Sequence, residues 1–312
     1  MTDPNAELPA PFGRRHQVNG YDLQTYPTGA GDGAATVVLL PGGGSVGLDM
    51  WRVQDGVAQF ATVVGYDRGG TGWSSRAVPL PRSLAEVTAE LRELLDLLRT
   101  TGVAGPYILV GHSLGGLYAR YFAAEHPEHV AGLVLVEPGH EDYRKYMPKE
   151  LTDVWDGFDP DAVLPDEIPQ EIRDFYRGLF QDAMADFPAE VREPLVANHV
   201  HPAWLRGGIQ EGSNVKALSE EMRAVADRVP DVPTVVLTAT DIDPFKRAVL
   251  GDMPQELVDA ETTGKVRLYD ELAASFSRGE NRQVEGVGHV TLVMQRPDAV
   301  IDAVRDMMRP GG

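Results

Sequence analysis

Apolar residues along this chain come in two arrangements. One is the short unbroken run: TVVLL from Thr36, YILV from Tyr107, VAGLVLV from Val130 and TVVLT from Thr234. Runs of this length, closed by glycine, proline or a polar loop, predict strands buried on both faces. The stretch ATVVGYDRGGTGWS from Ala61 repeats the logic, a strand followed by a Gly-rich turn, and NRQVEGVGH from Asn281 reads as a last short strand and loop. The other arrangement is helical. Leu84, Val87, Leu91, Leu94, Leu95 and Leu98 recur at three- and four-residue spacing, Ser83 can cap the start and Gly102 can end the helix. A helix follows the Tyr107 strand and ends near Glu125-His126-Pro127, and a closing helix spans Arg296 to Arg309 with Pro297 in its first turn. Buried strands alternating with amphipathic helices predict an α/β fold, a mainly parallel sheet covered on both faces.

From about His140 to Arg228 the strands vanish. Helical fragments are broken by Pro148, Pro160, Pro165, Pro169, Pro188, Pro194 and Pro202, and they carry Trp155, Phe158, Phe175, Tyr176, Phe180, Phe187 and Trp204. The pattern predicts a core of residues 1–139 and 230–312, with an all-helical cap domain, residues 140–229, inserted after the strand that ends at Glu137. Half of the cap aromatics are expected to serve packing alone.

Composition narrows the function. A chain of 312 residues can bury a large core, and one α/β domain with an insertion accounts for the length. Lysine and arginine total 28 against 47 acidic residues, a net charge of −19. Such a surface repels nucleic acid and anionic membranes and disfavours highly anionic substrates. The partner expected is a small, apolar molecule; self-association into a homo-oligomer is left open. There are no cysteines, which excludes disulfides, thiolate metal sites and cysteine catalysis and fits a cytoplasmic location. No run reaches the roughly 18 apolar residues of a membrane span. The first sixteen residues lack the apolar stretch of a secretory leader and are expected to form a loose lead-in.

The chemistry centres on Gly111-His112-Ser113-Leu114-Gly115, where the Tyr107 strand runs straight into a helix. Gly-x-Ser-x-Gly between a strand and a helix forms a sharp bend that lifts the serine hydroxyl above the sheet edge. The helix start beyond it favours negative charge, which suits a developing oxyanion. A serine needs a base to remove its proton. Of the eight histidines, His289 is the candidate, because it alone follows the final strand and precedes the closing helix. His16, His126 and His129 fall at element ends, His112 packs beside the bend, and His140, His199 and His201 lie at or in the insertion. Two backbone N–H groups should hold the oxyanion, from Leu114 and from the Gly42-Gly43-Gly44 loop, where Gly43 is favoured.

The imidazole also needs a carboxylate. Glu137 closes the Val130 strand; Asp241 and Asp243 follow the Thr234 strand. All three lie at C-terminal strand ends, the catalytic edge of a parallel sheet. Glu137 is favoured, since a carboxylate closing so apolar a strand is hard to explain as surface, and no glycine shapes a turn before the two aspartates. Gly69–Gly72 lacks the spacing of a dinucleotide site, no Gly-Lys-Ser/Thr follows the first glycine loop, and the His199/His201 pair lacks further metal ligands. No cofactor and no metal are expected.

The motifs PGGGS, GYDRGGTGWS, GHSLGG, LVLVEP and GVGH together resemble the α/β-hydrolase superfamily with a helical cap, over residues 14–139 and 230–309. A proline stands in PGGGS where many members have histidine. More narrowly, a Ser–Glu–His set with the glutamate 24 residues after the serine, and a Trp-bearing cap, resembles the zearalenone lactonases. The resemblance implies a carboxylic ester hydrolase, an esterase or lactonase without cofactor. Ser113 would be the nucleophile, Glu137 would orient His289, Gly43 and Leu114 would hold the oxyanion, and Trp204 or Trp155 would touch a macrolactone. Gly44 and His140, at the glycine loop and at the start of the insertion, are further candidate substrate contacts. The rivals are a proline-releasing aminopeptidase, which would need cap carboxylates such as Glu141, Asp142 or Glu167, and a non-catalytic ligand-binding protein.

Overall fold

Eight strands form one sheet: β1 (Arg14–Val18), β2 (Tyr21–Thr28), β3 (Thr36–Leu40), β4 (Thr62–Tyr66), β5 (Tyr107–His112), β6 (Val130–Val136), β7 (Thr234–Ala239) and β8 (Gly279–Val284). The computed structural model describes residues 7–29, 35–156, 168–251 and 253–309. The strand order is β1-β2-β4-β3-β5-β6-β7-β8. The β1–β2 and β2–β4 pairs are antiparallel and the remaining neighbours are parallel.

The unbroken apolar runs serve two cores at once. Successive side chains of a strand point to opposite faces. Val38, Leu40, Leu109, Leu133, Leu135 and Val236 enter one cluster, with α2 (Leu84–Leu98), α3 (Leu114–Glu125) and α11 (Gln255–Ala274). Val37, Leu39, Val110, Val134, Val136 and Leu237 enter the other, with α1 (Trp51–Ala58) and α13 (Pro297–Met307). Ser83 caps α2 as anticipated: its Oγ accepts from the N–H of Glu86 at 3.1 Å, and Glu86 returns a bond to the N–H of Ser83 at 2.8 Å. Beyond Leu98 a 3₁₀ turn runs to Gly102, at φ 94°.

Between β6 and β7 the described residues form helices and turns only. They are α4 (Tyr143–Tyr146), α5 (Lys149–Asp156), α6 (Gln170–Ala183), α7 (Ala189–His199), α8 (Pro202–Glu211) and α9 (Val215–Arg223). Pro160, Pro165, Phe158 and Glu167 lie outside the described residues. Between β7 and β8 come α10 (Pro244–Leu250) and α11, and α12 (Leu292–Gln295) precedes α13. No helix among the described residues is long and apolar enough to cross a membrane.

Two expectations need correction. The N-terminal segment is not a loose lead-in over its described part. The Leu8 carbonyl accepts from Trp73 Nε1 and Asn198 Nδ2, both at 2.8 Å, and β1 starts at Arg14. Polar and charged residues dominate β1, so its pattern carries little strand signal. The β6 strand stops at Val136, one residue short of Glu137, because Glu137 takes a left-handed backbone at φ 48°.

The topology makes one cleft inevitable. From β3 the chain steps to β4 on one side, then crosses to β5 on the other. The loops leaving β3 and β5 therefore part company above adjacent strands, at the switch point where open α/β sheets bind ligands. The motif glycines let α3 settle there. A Cβ on Gly115 would lie 2.0 Å from the Leu40 carbonyl oxygen, and one on Gly116 would lie 2.5 Å from Pro138 Cβ. A Cβ on Gly111 would meet the Gly115 carbonyl oxygen at 2.4 Å. Gly115→Ala is accordingly expected to lower the unfolding free energy by about 2 kcal/mol or more, as measured by denaturant titration, whereas alanine at the open Gly178 should leave that free energy within about 1 kcal/mol of the parent, the usual effect of exchanging glycine and alanine in a helix.

Candidate active site

Ser113 occupies the bend between β5 and α3 with φ 52° and ψ −119°. A non-glycine residue in this region is strained by roughly 1–3 kcal/mol and persists only where its surroundings hold it. They do so here through backbone bonds. The Ser113 N–H donates to Val136 at 3.0 Å, and its carbonyl accepts from Gly116 at 2.9 Å and Gly139 at 2.7 Å. The serine is thus tied to the C-terminal end of the neighbouring strand.

His289 arrives on the loop after β8. Its Nε2 is 2.9 Å from Ser113 Oγ, and its Nδ1 is 3.2 Å from Glu137 Oε2. The loop is fixed by its backbone. Asp243 Oδ2 accepts from the Val290 N–H at 2.6 Å, Asp241 Oδ2 from the Gly286 N–H at 2.7 Å, and Gly288 packs so closely on Asp243 that a Cβ would meet its N atom at 2.2 Å. His112 adds a further clamp. Its Nε2 lies 2.8 Å from the His289 carbonyl oxygen, which can only accept, so Nε2 carries the proton. Burial, and next to it the His289 ring, push His112 down from 6.5 to about 4, so it stays neutral in this role.

Glu137 is 1 % exposed. Its Oε1 accepts from the Ala239 N–H at 2.7 Å, and its Oε2 accepts from both Lys265 Nζ, at 2.9 Å, and His289. Burial works to raise its pKa, but the Lys265 ammonium and then His289 overcome that and hold it at about 2. An ionised carboxylate facing Nδ1 fixes the proton there, which leaves Nε2 as the acceptor for the serine hydroxyl. The two aspartates weighed against Glu137 have other work: Asp243 also caps α10 through Lys246 N–H at 2.8 Å, and neither bonds the imidazole.

The glycine loop after β3 lies against the bend. A Cβ on Gly42 would sit 3.2 Å from Ser113 Cβ, and one on Gly43 would sit 3.3 Å from Leu114 Cδ2. Leu114 opens α3, where its N–H has no intrahelical acceptor. Arg68, from the loop after β4, holds the glycine loop from below with bonds of 2.7 Å to the carbonyls of Pro41 and Gly42. Glu211, the last residue of α8, pairs with Arg68 at 2.6 Å and accepts from the Gly44 N–H at 2.8 Å. Both side chains are nearly fully buried. The N–H of Gly44 is therefore spent on Glu211 and is not a free donor, against its candidacy as a substrate contact.

The other candidate contacts fare differently. Trp204 is 7 % exposed, with its ring edge-to-face with Trp73 at 4.8 Å and with His199 at 5.4 Å, so it belongs to the packed wall between insertion and sheet. His140 Nδ1 accepts from the Asp142 N–H at 3.0 Å, which gives the ring a turn-forming use; burial and then Arg120 hold its pKa at about 4. The side chain of Trp155 lies outside the described residues. Glu141 is bidentate to Arg120 at 2.6 and 2.8 Å, and Asp142 pairs with Lys145 at 2.8 Å, so neither presents a free carboxylate for an amine. His199 Nε2 is 2.7 Å from Asp49 Oδ1 and stacks on Phe180. Sequence reasoning missed Lys265, Arg68 and Glu211. Arg68 stood in the quoted GYDRGGTGWS motif; Lys265 and Glu211 carried no local signal, since their partners lie 128 and 143 residues away.

The sequence model of a family described as alpha/beta hydrolase fold matches residues 35–234. Among curated proteins, a 1-acylglycerol-3-phosphate O-acyltransferase of Arabidopsis thaliana is 35 % identical over 114 residues, covering 36 % of this chain and 27 % of that protein. A putative carbamate hydrolase RutD of Klebsiella pneumoniae is 39 % identical over 104 residues, covering 33 % and 37 %. The chain thus spans well under half the length of these curated relatives. Among solved structures, Cfl2 of Burkholderia cenocepacia superposes with a TM-score of 0.67 at 22 % identity, over 97 % of this chain and 98 % of that one. An enol-lactonase of Burkholderia xenovorans gives 0.55 at 22 %, over 95 % and 99 %. At these identities the structural likeness speaks for the fold alone. With the family match covering most of the chain and the sheet order, the bend at Ser113 and the helical insertion described above, the chain belongs to the α/β-hydrolase fold family.

Proposed function

We propose that this protein is a serine hydrolase that cleaves a carboxylic ester or lactone through an acyl-enzyme on Ser113. The observation that carries the proposal is the unbroken hydrogen-bond series Ser113 Oγ, His289 and Glu137, at 2.9 and 3.2 Å. In the proposed reaction Ser113 Oγ attacks the carbonyl carbon while His289 Nε2 takes its proton. The N–H groups of Gly43 and Leu114 stabilise the tetrahedral oxyanion, each by about 3 kcal/mol. The carbonyl re-forms, the alkoxide leaves with the proton from His289, and the ester to Ser113 remains. Water then attacks the acyl carbonyl, with His289 as base, and Ser113 leaves as the alcohol. In a lactone the leaving alkoxide stays tethered to the acyl group, so the helical insertion must hold it aside while water enters.

One feature favours an ester over the amide of an N-terminal proline. Glu141 and Asp142 are occupied by Arg120 and Lys145, which leaves no described carboxylate at the start of the insertion to take a free amine. The acid stands 24 residues after the serine, at the end of β6, the order that led to zearalenone-type macrolactones as the first substrates to test. In this proposal residues 140–229 act as the cap over a cytoplasmic enzyme's small-molecule site.

A fluorophosphonate probe is expected to label the folded protein at Ser113 and to leave Ser113→Ala unlabelled; a folded, unlabelled parent protein would mean a ligand-binding protein instead. Against a panel of aryl esters, lactones and prolyl amides, turnover is expected on esters and lactones. Glu137→Gln should lower kcat by about 10³-fold or more, since the imidazole loses the carboxylate that holds its tautomer, while Asp243→Asn should cost far less; the opposite ranking overturns the assignment of the acid. Glu211→Gln is expected to lower kcat by roughly tenfold with KM little changed, because the carboxylate steadies the loop that presents a donor to the oxyanion; an effect confined to KM would place Glu211 in substrate binding.

A further inference from the structure

The hydrolytic steps leave a buried charge beside the candidate acid without a use. Lys265 stands in the middle of α11, its side chain 5 % exposed, with Nζ 2.9 Å from Oε2 of Glu137. That is the same oxygen that faces His289 Nδ1. An ammonium is rarely buried unless it is paired, and a buried pair is a poor source of net stability, because desolvation offsets most of the attraction. A hydrophobic residue on α11 would pack β7 without that cost. The placement of the lysine on the acid of a catalytic series calls for a chemical reason.

The surroundings are largely accounted for. On its own helix, Glu261 lies one turn before Lys265, and Tyr269 lies one turn after and donates to the Pro138 carbonyl at 2.8 Å. Glu261 is engaged from other elements, by Tyr143 of α4 at 3.1 Å and Lys246 of α10 at 2.5 Å. From β5, His112 is neutral and bonds backbone. From the loop after β7, Asp243 turns its oxygens to backbone N–H groups. Among the described contacts of the Glu137 carboxylate, Lys265 supplies the permanent positive charge.

We infer that Lys265 is a positioning residue for the reaction proposed at Ser113, on which this inference rests. Its ammonium takes up part of the charge that Glu137 presents to His289 and so favours the ionised carboxylate beside a neutral imidazole, the form in which Nε2 can accept the serine proton. Glu137 and His289 share a hydrogen bond and titrate as a unit. The form active in the first step has an ionised carboxylate and a neutral imidazole. A neighbouring cation stabilises that form relative to the one that has gained a proton, whichever group the proton rests on. Removing the cation raises the proton affinity of the pair. The sign is unambiguous: the acid limb of the rate profile moves to higher pH. Lys265 would also orient the acid, since with Ala239 N–H on Oε1 and the lysine on Oε2 the carboxylate has little freedom to rotate.

The test is the pH dependence of fluorophosphonate inactivation, and of ester kcat/KM, for the parent protein, Lys265→Met and Lys265→Arg. For Lys265→Met the acid limb is expected about one pH unit or more higher, with the plateau at alkaline pH within about threefold of the parent, because loss of a cation in contact with a carboxylate shifts its titration by about 1–3 units. Lys265→Arg keeps the charge and is expected to keep the limb near its parent position. A rate lowered equally at all pH, with the limb unmoved, would make Lys265 a packing residue and overturn the inference. Should Lys265→Met fail to fold, Lys265→Gln, which removes the charge and keeps a hydrogen-bond donor, is read in the same way: an acid limb about one pH unit or more higher supports the inference, and an unmoved limb overturns it. A parent protein that is folded but unlabelled at every pH would remove the hydrolase proposal itself, a result separate from an unmoved acid limb in a labelled protein.

Discussion

The carboxylate of Glu137 is where the parts of this molecule meet. It follows the last residue of β6, bonds the backbone of β7 through Ala239, accepts from Lys265 of α11 and faces His289 from the loop after β8. A carboxylate with 1 % exposure is tolerable only because each oxygen is engaged and a cation stands beside it. The left-handed backbone at Glu137, φ 48°, turns the chain out of the sheet immediately after the apolar strand, as the strained backbone at Ser113 does one strand away. Among the described residues, the two non-glycine residues with positive φ at the C-terminal edge of the sheet belong to the candidate site. Such conformations are kept where surrounding bonds over-determine them.

Above the sheet, the helical insertion is not simply laid on top. Glu211 reaches from the end of α8 to the glycine loop and to Arg68, and His199 reaches from the end of α7 to Asp49. Gly44 and Gly208 are in backbone contact; a Cβ on Gly44 would stand 3.1 Å from Gly208 Cα. The loop proposed to receive the oxyanion therefore takes part of its shape from the insertion. A movement of α8 away from the sheet would free the Gly44 N–H and leave two buried charges unpaired, so insertion and loop are expected to move together. This arrangement links the element that would select a substrate to the element that would stabilise its transition state.

The acid of the series takes its charge state from its neighbours as well as from its own chemistry. Burial alone would favour the protonated form of Glu137; Lys265 and His289 reverse that. The histidine beside the bend, His112, is held neutral by burial and by the His289 ring, and it uses its one proton to hold the backbone of that same residue. Glu137 and His112 thus each have a defined partner and a charge state set by their surroundings, an arrangement that suits preorganised catalysis.

The linear sequence determined the α/β class and the strand–bend–helix around Ser113, and it offered His289 as a candidate base and residues 140–229 as a candidate helical insertion. Those features rest on local physics: strand and helix periods, a glycine motif, proline breaks, and a histidine after the last strand. The Gly111, Gly115 and Gly116 positions were legible because close approach of backbone leaves no other residue type. The antiparallel β1–β2 hairpin was not legible, because polar and charged residues on an edge strand erase the apolar signal. The apolar strand before it favoured Glu137 over Asp243 and Asp241, but all three leave strands at the same edge, and only the tertiary structure shows which side chain turns to the imidazole and which to backbone N–H groups. Lys265, Arg68 and Glu211 belong to the same class. Their partners are brought near by the crossing of helices and loops far apart in the chain, and no spacing along the sequence records an electrostatic contact made across that distance.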